Sequence, residues 1–378
     1  MANLTFEWIE KNMPKLGYGC MRLPLTNPAD AKTIDFPQSE KLIDAYMDAG
    51  FNYFDTAYVY HDQKGENAVK RLIVERYPRE SFFIADKLPV WQADSHASLN
   101  RIAAEMFERL GTDYIDFFLI HSLDHSNEAS ALKYDAYGIA RRLKAEGKAR
   151  FIGASFHDTP EYLEHLLTAH PELEFIQLQI NYKDWFTSLR SDEYYRIARK
   201  FNKPIIIMEP VRGGALADPT SETAKELMAL RPDKSFASWA IRFCASLSGV
   251  ATILSGMSAL DQVLDNIATI KEAVPVTPGE MAALERAAHT YDRTHYIPCT
   301  HCRYCEICPQ GIDIPLTFDI INEWRQTNNW AVASTQYGNM LASARADRCI
   351  ACEACEAVCP QHIEIVKSVA IAAKNWNQ

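Results

Sequence analysis

Eight short apolar runs, separated by segments with helical periodicity, restrict the fold of this 378-residue chain more than any other feature. Amphipathic segments such as SEKLIDAYMDAG and SLNRIAAEMFERLG lie between the runs, and several end in glycine, lysine or arginine, which are common at helix C-termini. This alternation predicts βα units around a parallel sheet, and eight units predict a (β/α)8 barrel, the TIM-type α/β fold. The runs are KLGYGCMRL, FNYFDTA, FFIADKL, DYIDFFLIHS, ARFIGASF, EFIQLQINY, PIIIMEPV and GVATILSG.

An open, doubly wound parallel sheet is the alternative fold for part of this pattern. That fold needs a glycine-rich phosphate loop after an early strand, and the chain contains no G-x-G-x-x-G. The strand rhythm stops near Val276, after which the chain is helical and rich in cysteine. Because such a barrel takes about 250 residues, we predict a barrel domain over residues 1–290 and a small helical domain over residues 291–378.

Charge and hydropathy narrow the range of partners. The formal net charge is -10, and no run of lysine and arginine offers a patch for phosphates. We therefore expect a small-molecule partner and no binding to nucleic acid. The chain has no apolar span of membrane length, and its first residues lack the apolar run of a signal peptide. These features predict a cytoplasmic protein without a membrane association.

Four polar residues follow the predicted strands, namely Asp55, Tyr60, Lys87 and His121. Each has an ordinary explanation alone, as a helix cap, a packed ring, a surface cation or a core histidine. Together they predict a carbonyl-reducing site, since the strand ends of a barrel meet at one mouth. Lys87 would lower the pKa of Tyr60, and Asp55 would hold Lys87 in place. His121 would donate a hydrogen bond to a carbonyl oxygen while Tyr60 protonates it.

These residues, with the surrounding motifs, resemble the aldo-keto reductases from about Leu16 to Asn266. The motifs are GYGCMRL, FDTAYVYH, DYIDFFLIHS, KARFIGAS, IQLQINY and ILSGMSALDQVLDNI. The resemblance implies a nicotinamide nucleotide, NAD(P)H, that is bound without a Rossmann domain. It also implies that Ser155 and Gln177 contact the carboxamide, and that Asp265 and Asn266 approach the adenine end.

The chain departs from the family pattern at three places that concern the cofactor. Ser155 is followed by Phe156 and His157, where the family usually has asparagine. Met208 stands where an aromatic residue commonly stacks on the nicotinamide, and a methionine there is flexible and has no ring. The segment GMSALDQ has no lysine or arginine for a ribose 2′-phosphate. The choice between NADH and NADPH therefore stays open.

The C-terminal region contains eight of the ten cysteines, in two runs. Zinc usually takes two separated pairs of ligands, whereas C-x2-C-x2-C-x3-C-P is the bacterial ferredoxin pattern. The second run matches that pattern, and the first is one residue shorter before its last cysteine. We predict two 4Fe-4S clusters rather than zinc or disulfides, and buried apolar roles for Cys20 and Cys244. The runs are Cys299, Cys302, Cys305 and Cys308 before Pro309, and Cys349, Cys352, Cys355 and Cys359 before Pro360.

In two-cluster ferredoxins the fourth cysteine of each run ligates the other cluster. That rule predicts that Cys359 joins the first three cysteines of the first run, and that Cys308 joins those of the second. The helical segments between the runs make the domain similar to the α-helical ferredoxins. Because a segment of this size has little core of its own, a purely structural role for the clusters is an alternative.

Two functions are compatible with these predictions. The first is an oxidoreductase that interconverts a carbonyl and an alcohol with NAD(P)H, with clusters that carry electrons. The second is an iron–sulfur electron-transfer or redox-sensing protein that uses the barrel as a binding scaffold. The four polar residues favour the first. A redox partner protein fits either function, and a flavin would link one-electron and hydride chemistry, although no sequence feature indicates a flavin site. Three aromatic residues after strand ends are candidates for a substrate pocket or for loop anchors: Trp91, Trp185 and Phe186.

Overall fold

The computed structural model describes residues 5–28, 30–187, 189–218, 222–293, 297–327 and 329–376. Within these residues eight parallel strands close into a barrel in sequence order, with the last strand paired to the first. The predicted barrel is confirmed, and each strand lies in its predicted run or within one residue of it. The strands are β1 Leu16–Gly19, β2 Tyr53–Asp55, β3 Phe83–Leu88, β4 Ile115–Leu123, β5 Ala149–Phe156, β6 Phe175–Gln179, β7 Ile205–Met208 and β8 Val250–Ser255.

Helices surround the barrel and form the C-terminal region. In chain order the α-helical segments of the described residues are Phe6–Asn12, Phe36–Asp48, Tyr60–Gln63, Gly65–Val69, His96–Leu110, His125–Lys133, Ala136–Ala145, Pro160–Ala169, Tyr182–Trp185, Ser191–Lys200, Glu222–Leu230, Phe236–Ala245, Leu260–Glu272, Pro278–Arg293, Ile314–Thr327, Trp330–Asn339, Ala354–Ala357 and Ile365–Trp376. None of them is long and apolar enough to cross a membrane.

Side-chain caps explain where the barrel helices begin and end. The Asp35 carboxylate accepts a hydrogen bond from the backbone of Gln38 at the start of helix Phe36–Asp48. The Ser95 hydroxyl caps helix His96–Leu110 in the same way. That helix ends at Gly111, whose φ of 66° lies in the left-handed region that glycine adopts without a steric penalty.

Aromatic side chains fill the barrel interior below the mouth. Phe117, Phe151 and Phe175 are fully buried and pack edge to face or tilted against one another. Trp8 of the N-terminal helix contacts Phe151, with ring centroids 4.9 Å apart, so the helix closes the bottom of the barrel. Gly153 is required here, because a Cβ at that position would lie 2.6 Å from the Phe175 ring. The closed bottom leaves the opposite end, where the strands terminate, as the open mouth.

The C-terminal region has a hydrophobic core of its own. Its last three long helices bury a cluster that includes Phe318, Ile321, Tyr337, Val369 and Trp376. This core is separate from the main barrel core; Cys305 and Cys355 belong to it, and Cys299, Cys308, Cys349 and Cys359 pack against it. The predicted division at residues 290 and 291 lies inside helix Pro278–Arg293.

Candidate active site and cysteine cages

A buried ion pair lies at the barrel mouth. Lys87 at the end of β3 lies 2.5 Å from a carboxylate oxygen of Asp55 at the end of β2, and both side chains are almost completely buried. Lys87 Nζ also donates to the Thr56 carbonyl at 2.7 Å and to Tyr60 Oη at 3.2 Å. Gln177 of β6 donates to the second oxygen of Asp55 at 3.0 Å. The strands therefore bring Asp55, Tyr60 and Lys87 into one hydrogen-bonded chain.

Burial determines the protonation of this chain. Desolvation raises the pKa of Asp55, and the Lys87 ammonium opposes that rise. Desolvation, with Asp55 and Glu209 adding to it, raises the pKa of Tyr60 well above 10. The lower Tyr60 pKa expected from the sequence is thus wrong for this state, because the loss of water outweighs the nearby ammonium. Tyr60 is a neutral phenol that accepts from Lys87 and keeps its own hydrogen to donate.

His121 at the end of β4 faces the same mouth. Its ring centroid lies 6.1 Å from that of Tyr60 and 5.0 Å from that of Trp91. Burial lowers the pKa of His121 well below 6.5, and Lys87 lowers it further, so the imidazole is neutral. His121 Nε2 lies 3.1 Å from the hydroxyl of Tyr304, which comes from the first cysteine run. The fourth predicted residue is therefore at the mouth but already has a hydrogen-bond partner.

A cleft of about 640 Å³ opens from this mouth. It begins at Asp55 and Tyr60 and extends past Met208 to Asp265 and Asn266, beyond the end of β8. Apolar and polar groups both line it, which suits an elongated ligand with an aromatic part and hydrogen-bonding groups.

The candidate cofactor-binding residues differ in how they meet the cleft. Gln177 lines it, and its Oε1 is buried without a hydrogen-bond partner among the described residues, so this oxygen is available to a ligand. Asn266 lines it and donates to the Ser255 hydroxyl at 2.9 Å. Ser155 does not line the cleft, and its Oγ accepts the backbone N–H of Ser122 at 2.7 Å.

The cysteines surround two adjacent cavities, which we call the inner and outer cages. Ile314 and Ile365 line both cavities and separate them. Each fourth cysteine lies at the cavity of the other run, as expected from the two-cluster rule. All ten cysteines of the chain lie within the described residues and are free thiols, and Cys20 and Cys244 are buried as predicted. The inner cage is Cys299, Cys302, Cys305 and Cys359, and the outer cage is Cys308, Cys349, Cys352 and Cys355.

The two runs share one backbone conformation. His301 and Arg303 in the first run, and Ala351 and Glu353 at the matching positions of the second, all have positive φ between 52° and 64°. Such left-handed non-glycine residues persist only where the surroundings impose them, as in ligand sites. In the described residues no three candidate ligands converge on the position of one metal ion.

The inner cage is docked on the barrel through buried polar contacts. Arg212, just after β7, donates to the Asp184 carboxylate at 2.8 Å and to the Pro298 carbonyl at 3.0 Å. Gln361 and Gln179 exchange hydrogen bonds at 2.7 and 2.9 Å. Arg212, Asp184, Gln179 and Gln361 are all buried. Because these four side chains are hydrogen-bonded to one another, this interface specifies one orientation of the cysteine region.

Sequence reasoning did not assign Arg22, Gly213 or Tyr304. Arg22 lines the cleft, and it is the only lysine or arginine among the described lining residues. It also donates to the Thr300 carbonyl of the first cysteine run. Gly213 has a φ of 64°, and a Cβ there would lie 2.7 Å from the Thr300 backbone. The RGG sequence after β7 was the only local signal of this close approach.

The three aromatic candidates have different positions. Trp91 lies beside His121 at the mouth. Trp185 packs against Phe243, with ring centroids 5.4 Å apart, and Phe186 packs against the main barrel core. Only Trp91 therefore borders the catalytic candidates.

Both parts of the chain resemble known protein families. The model of the aldo/keto reductase family matches residues 15–289, and the model of the 4Fe-4S dicluster domain matches residues 293–364. An aldo-keto reductase from Mycobacterium sp. (strain MCS) is 28% identical over 252 residues, which is 65% of this chain and 81% of that protein. One from Mycolicibacterium vanbaalenii is 27% identical over 278 residues, which is 73% of this chain and 88% of that protein.

Two solved structures share the barrel fold. The holo form of an aldo-keto reductase from Bacillus halodurans has a TM-score of 0.59 at 24% identity, covering 72% of this chain and 91% of that one. An aldo/keto reductase from Klebsiella pneumoniae, in complex with NADP and acetate, has a TM-score of 0.59 at 22% identity, covering 75% and 95%.

Proposed function

The chain belongs to the aldo-keto reductase family, and we propose that this oxidoreductase interconverts a carbonyl group and an alcohol with a nicotinamide nucleotide. The observation that carries the proposal is the buried chain of Asp55, Lys87 and Tyr60 at the head of the cleft. It presents a neutral phenol at the place where the cleft meets the barrel mouth. A scaffold that only binds a ligand has no need of such a buried acid and its supporting cation.

The side chains would act together in the reduction direction. When bound, a nicotinamide nucleotide would supply a hydride, with its electron pair, for the carbonyl carbon. Tyr60 gives its proton to the carbonyl oxygen, so the product is the neutral alcohol. The Lys87 ammonium, held by Asp55, donates to Tyr60 Oη and stabilises the negative charge that develops there. Because the ion pair is already formed, little reorganisation is needed during the step.

The nucleotide would lie along the cleft. The unpaired Oε1 of Gln177 would accept a hydrogen bond from the carboxamide, whereas Ser155 lies outside the cleft lining and its hydroxyl would meet the carboxamide only after a local rearrangement. Met208 would pack on the nicotinamide face, and Asp265 and Asn266 would border the adenine. Support for this placement comes from the cleft lining and from the Klebsiella relative, which was solved with NADP.

The two cages would each hold one 4Fe-4S cluster, which supplies one-electron transfer when bound. The outer cage is nearer to solvent, because Cys352 is exposed and Ile350 beside it is 60% exposed. A redox partner protein would approach at this side. The inner cage faces the barrel through Thr300 and Gln361.

The test is the Tyr60→Phe variant, with Tyr58→Phe as the matched control. The Tyr58 hydroxyl is bonded to Glu105 outside the cleft, so its loss should leave catalysis unchanged. Tyr60→Phe should lower the rate of nitrobenzaldehyde reduction by about 10² to 10⁴, with nucleotide affinity unchanged, since the lost proton is needed only as charge develops. Nucleotide absorbance measures the reduction rates of the variants, and fluorescence titration measures their nucleotide affinities. Normal turnover by Tyr60→Phe would exclude the proposed acid.

A further inference from the structure

Among the described residues, Tyr304 makes the one hydrogen bond between the cysteine loops and the four polar residues of the mouth. It lies between Cys302 and Cys305 in the first run, 183 positions from His121 in the chain. Its hydroxyl lies 3.1 Å from His121 Nε2, the atom from which a substrate oxygen would accept a hydrogen bond. The His121 ring is thus covered by a side chain of the other domain.

The position of one hydrogen sets the direction of this hydrogen bond. His121 is neutral, so one of its ring nitrogens carries a hydrogen. With the hydrogen on Nδ1, which is buried without a partner among the described residues, Tyr304 donates to Nε2. With the hydrogen on Nε2, His121 donates to Tyr304 Oη, and the phenol keeps its own hydrogen for a ligand in the mouth.

The second cysteine run shows that the cage does not require a tyrosine at this position. The matching residue there is Ala354, and the residues before it have the same left-handed conformations in both runs. An alanine is therefore compatible with the loop. The Tyr304 side chain contacts His121, which lies outside the inner cage.

We propose that Tyr304 is a substrate-binding residue of the reaction centre, which accepts from His121 and donates its hydroxyl hydrogen to the substrate carbonyl oxygen opposite Tyr60. This proposal rests on the proposed carbonyl–alcohol function. The substrate carbonyl oxygen would accept hydrogen bonds from the hydroxyls of Tyr60 and Tyr304. His121 would not touch the substrate but would donate a hydrogen bond to Tyr304. The Tyr60 proton is the one transferred, and the Tyr304 hydrogen stays on its oxygen and stabilises the developing negative charge.

The docking contacts hold Tyr304 in position. Arg212 binds the Pro298 carbonyl and Arg22 binds the Thr300 carbonyl, on either side of Cys299. A loop fixed in this way places the phenol without a large loss of freedom on substrate binding. With Trp91 on the other side of His121, the ring also narrows the mouth. Substrates with a slim carbonyl end, such as small aldehydes, would be favoured over branched ketones.

The test compares Tyr304→Phe, Tyr304→Ala and the control Tyr337→Phe. Tyr337 is a buried tyrosine of the C-terminal hydrophobic core, and its hydroxyl donates to Asp347. Tyr304→Phe keeps the ring and should lower kcat/KM for propanal and nitrobenzaldehyde by about tenfold to hundredfold, the size of a lost hydrogen bond to a charged oxygen. Tyr304→Ala should lower kcat/KM for propanal by a similar factor. Because the ring is also removed, its ratio of kcat/KM for a branched ketone to kcat/KM for propanal should rise above the wild-type ratio.

Acetate, a carboxylate that mimics the developing oxyanion, gives a readout without turnover. Its affinity for the holoenzyme with oxidised nucleotide should fall about tenfold or more in Tyr304→Phe, while nucleotide affinity and iron content stay at the wild-type level. Wild-type acetate affinity and kcat/KM in Tyr304→Phe would overturn the proposal and leave Tyr304 as a packing residue. Faster turnover in both variants would also overturn it, since the phenol would then block the site. Loss of iron in Tyr304→Phe would show that the tyrosine serves the cage.

The outcome for Tyr60 separates this proposal from the one on which it rests. If Tyr60→Phe abolishes reduction and Tyr304→Phe does not, only the role of Tyr304 is wrong. If Tyr60→Phe reduces aldehydes normally, the proposed function itself is wrong.

Discussion

The buried Arg212 is expected to hold the inner cage on the barrel, and the Arg212→Met variant tests this role. Its guanidinium binds Asp184 at 2.8 Å, and the two side chains are 5% and 0% exposed. Methionine keeps much of the volume and removes the charge. Asp184 would then be a buried carboxylate without its cation, although Gln179 and Asn181 would still donate to it at 2.7 Å each.

The magnitude follows from this geometry. Breaking a buried ion pair by removing one partner costs about 3–5 kcal/mol, mostly because the remaining charge is uncompensated. The two amide donors place the loss near the lower end, about 3 kcal/mol. Arg212→Met combined with Asp184→Asn removes the buried charge as well, so the double variant should be more stable than Arg212→Met alone. The matched control is Lys32→Met, because the Lys32–Asp62 pair is mostly exposed and should matter little.

Anaerobic urea denaturation of the cluster-loaded protein, followed by tryptophan fluorescence, measures the free energy of unfolding for the four proteins. Limited proteolysis shows which part of the protein is destabilised. Arg212→Met should release a barrel-sized fragment faster than the wild type does. A loss no larger than that of Lys32→Met would refute the reasoning. So would a double variant less stable than the single one, since the uncompensated charge of Asp184 would not then be the cause.

Three further results are expected. Cys308→Ala should remove the electron paramagnetic resonance signal of the cluster in the outer cage, and Cys359→Ala should remove that of the cluster in the inner cage. Loss of the cluster held by the mutated residue's own run would contradict the predicted exchange of the fourth cysteines. Fluorescence titration should show NADH binding at least as well as NADPH, because the segment GMSALDQ has no cation, and a strong NADPH preference would indicate Arg22 as the phosphate partner. Burial raises the pKa of Glu66 and raises that of Asp86 from 3.8 to about 7. The Asp86 contribution to stability is therefore complete below pH 3.8 and is lost as the pH rises from there to about 7. Asp86→Asn should raise Tm above that interval and flatten the pH dependence of Tm within it, and an unchanged slope would exclude Asp86 as its source.

The sequence by itself determined the barrel and the positions of its polar strand ends. Period-two and period-3.6 patterns report on neighbours two to four residues away, which is the information that defines strands and helices. Asp55, Tyr60 and Lys87 could be placed together because every strand of a parallel barrel ends at one mouth. Cys308 and Cys359 could be assigned to opposite cages because cysteine spacing reflects the geometry of the cluster.

Only the tertiary structure decided how the two parts meet and how the site is protonated. The contact of Tyr304 with His121 joins residues 183 positions apart, and it depends on how one folded part docks on the other, which leaves no periodic trace in either segment. The position of Arg22 in the cleft also depends on tertiary packing, which local sequence patterns do not report. The direction of the Tyr60 pKa depends on desolvation as well as on the nearby ammonium, and burial is a property of the whole packed mouth. Local patterns therefore place side chains at the mouth, whereas three-dimensional packing sets which groups they touch and which charges they carry.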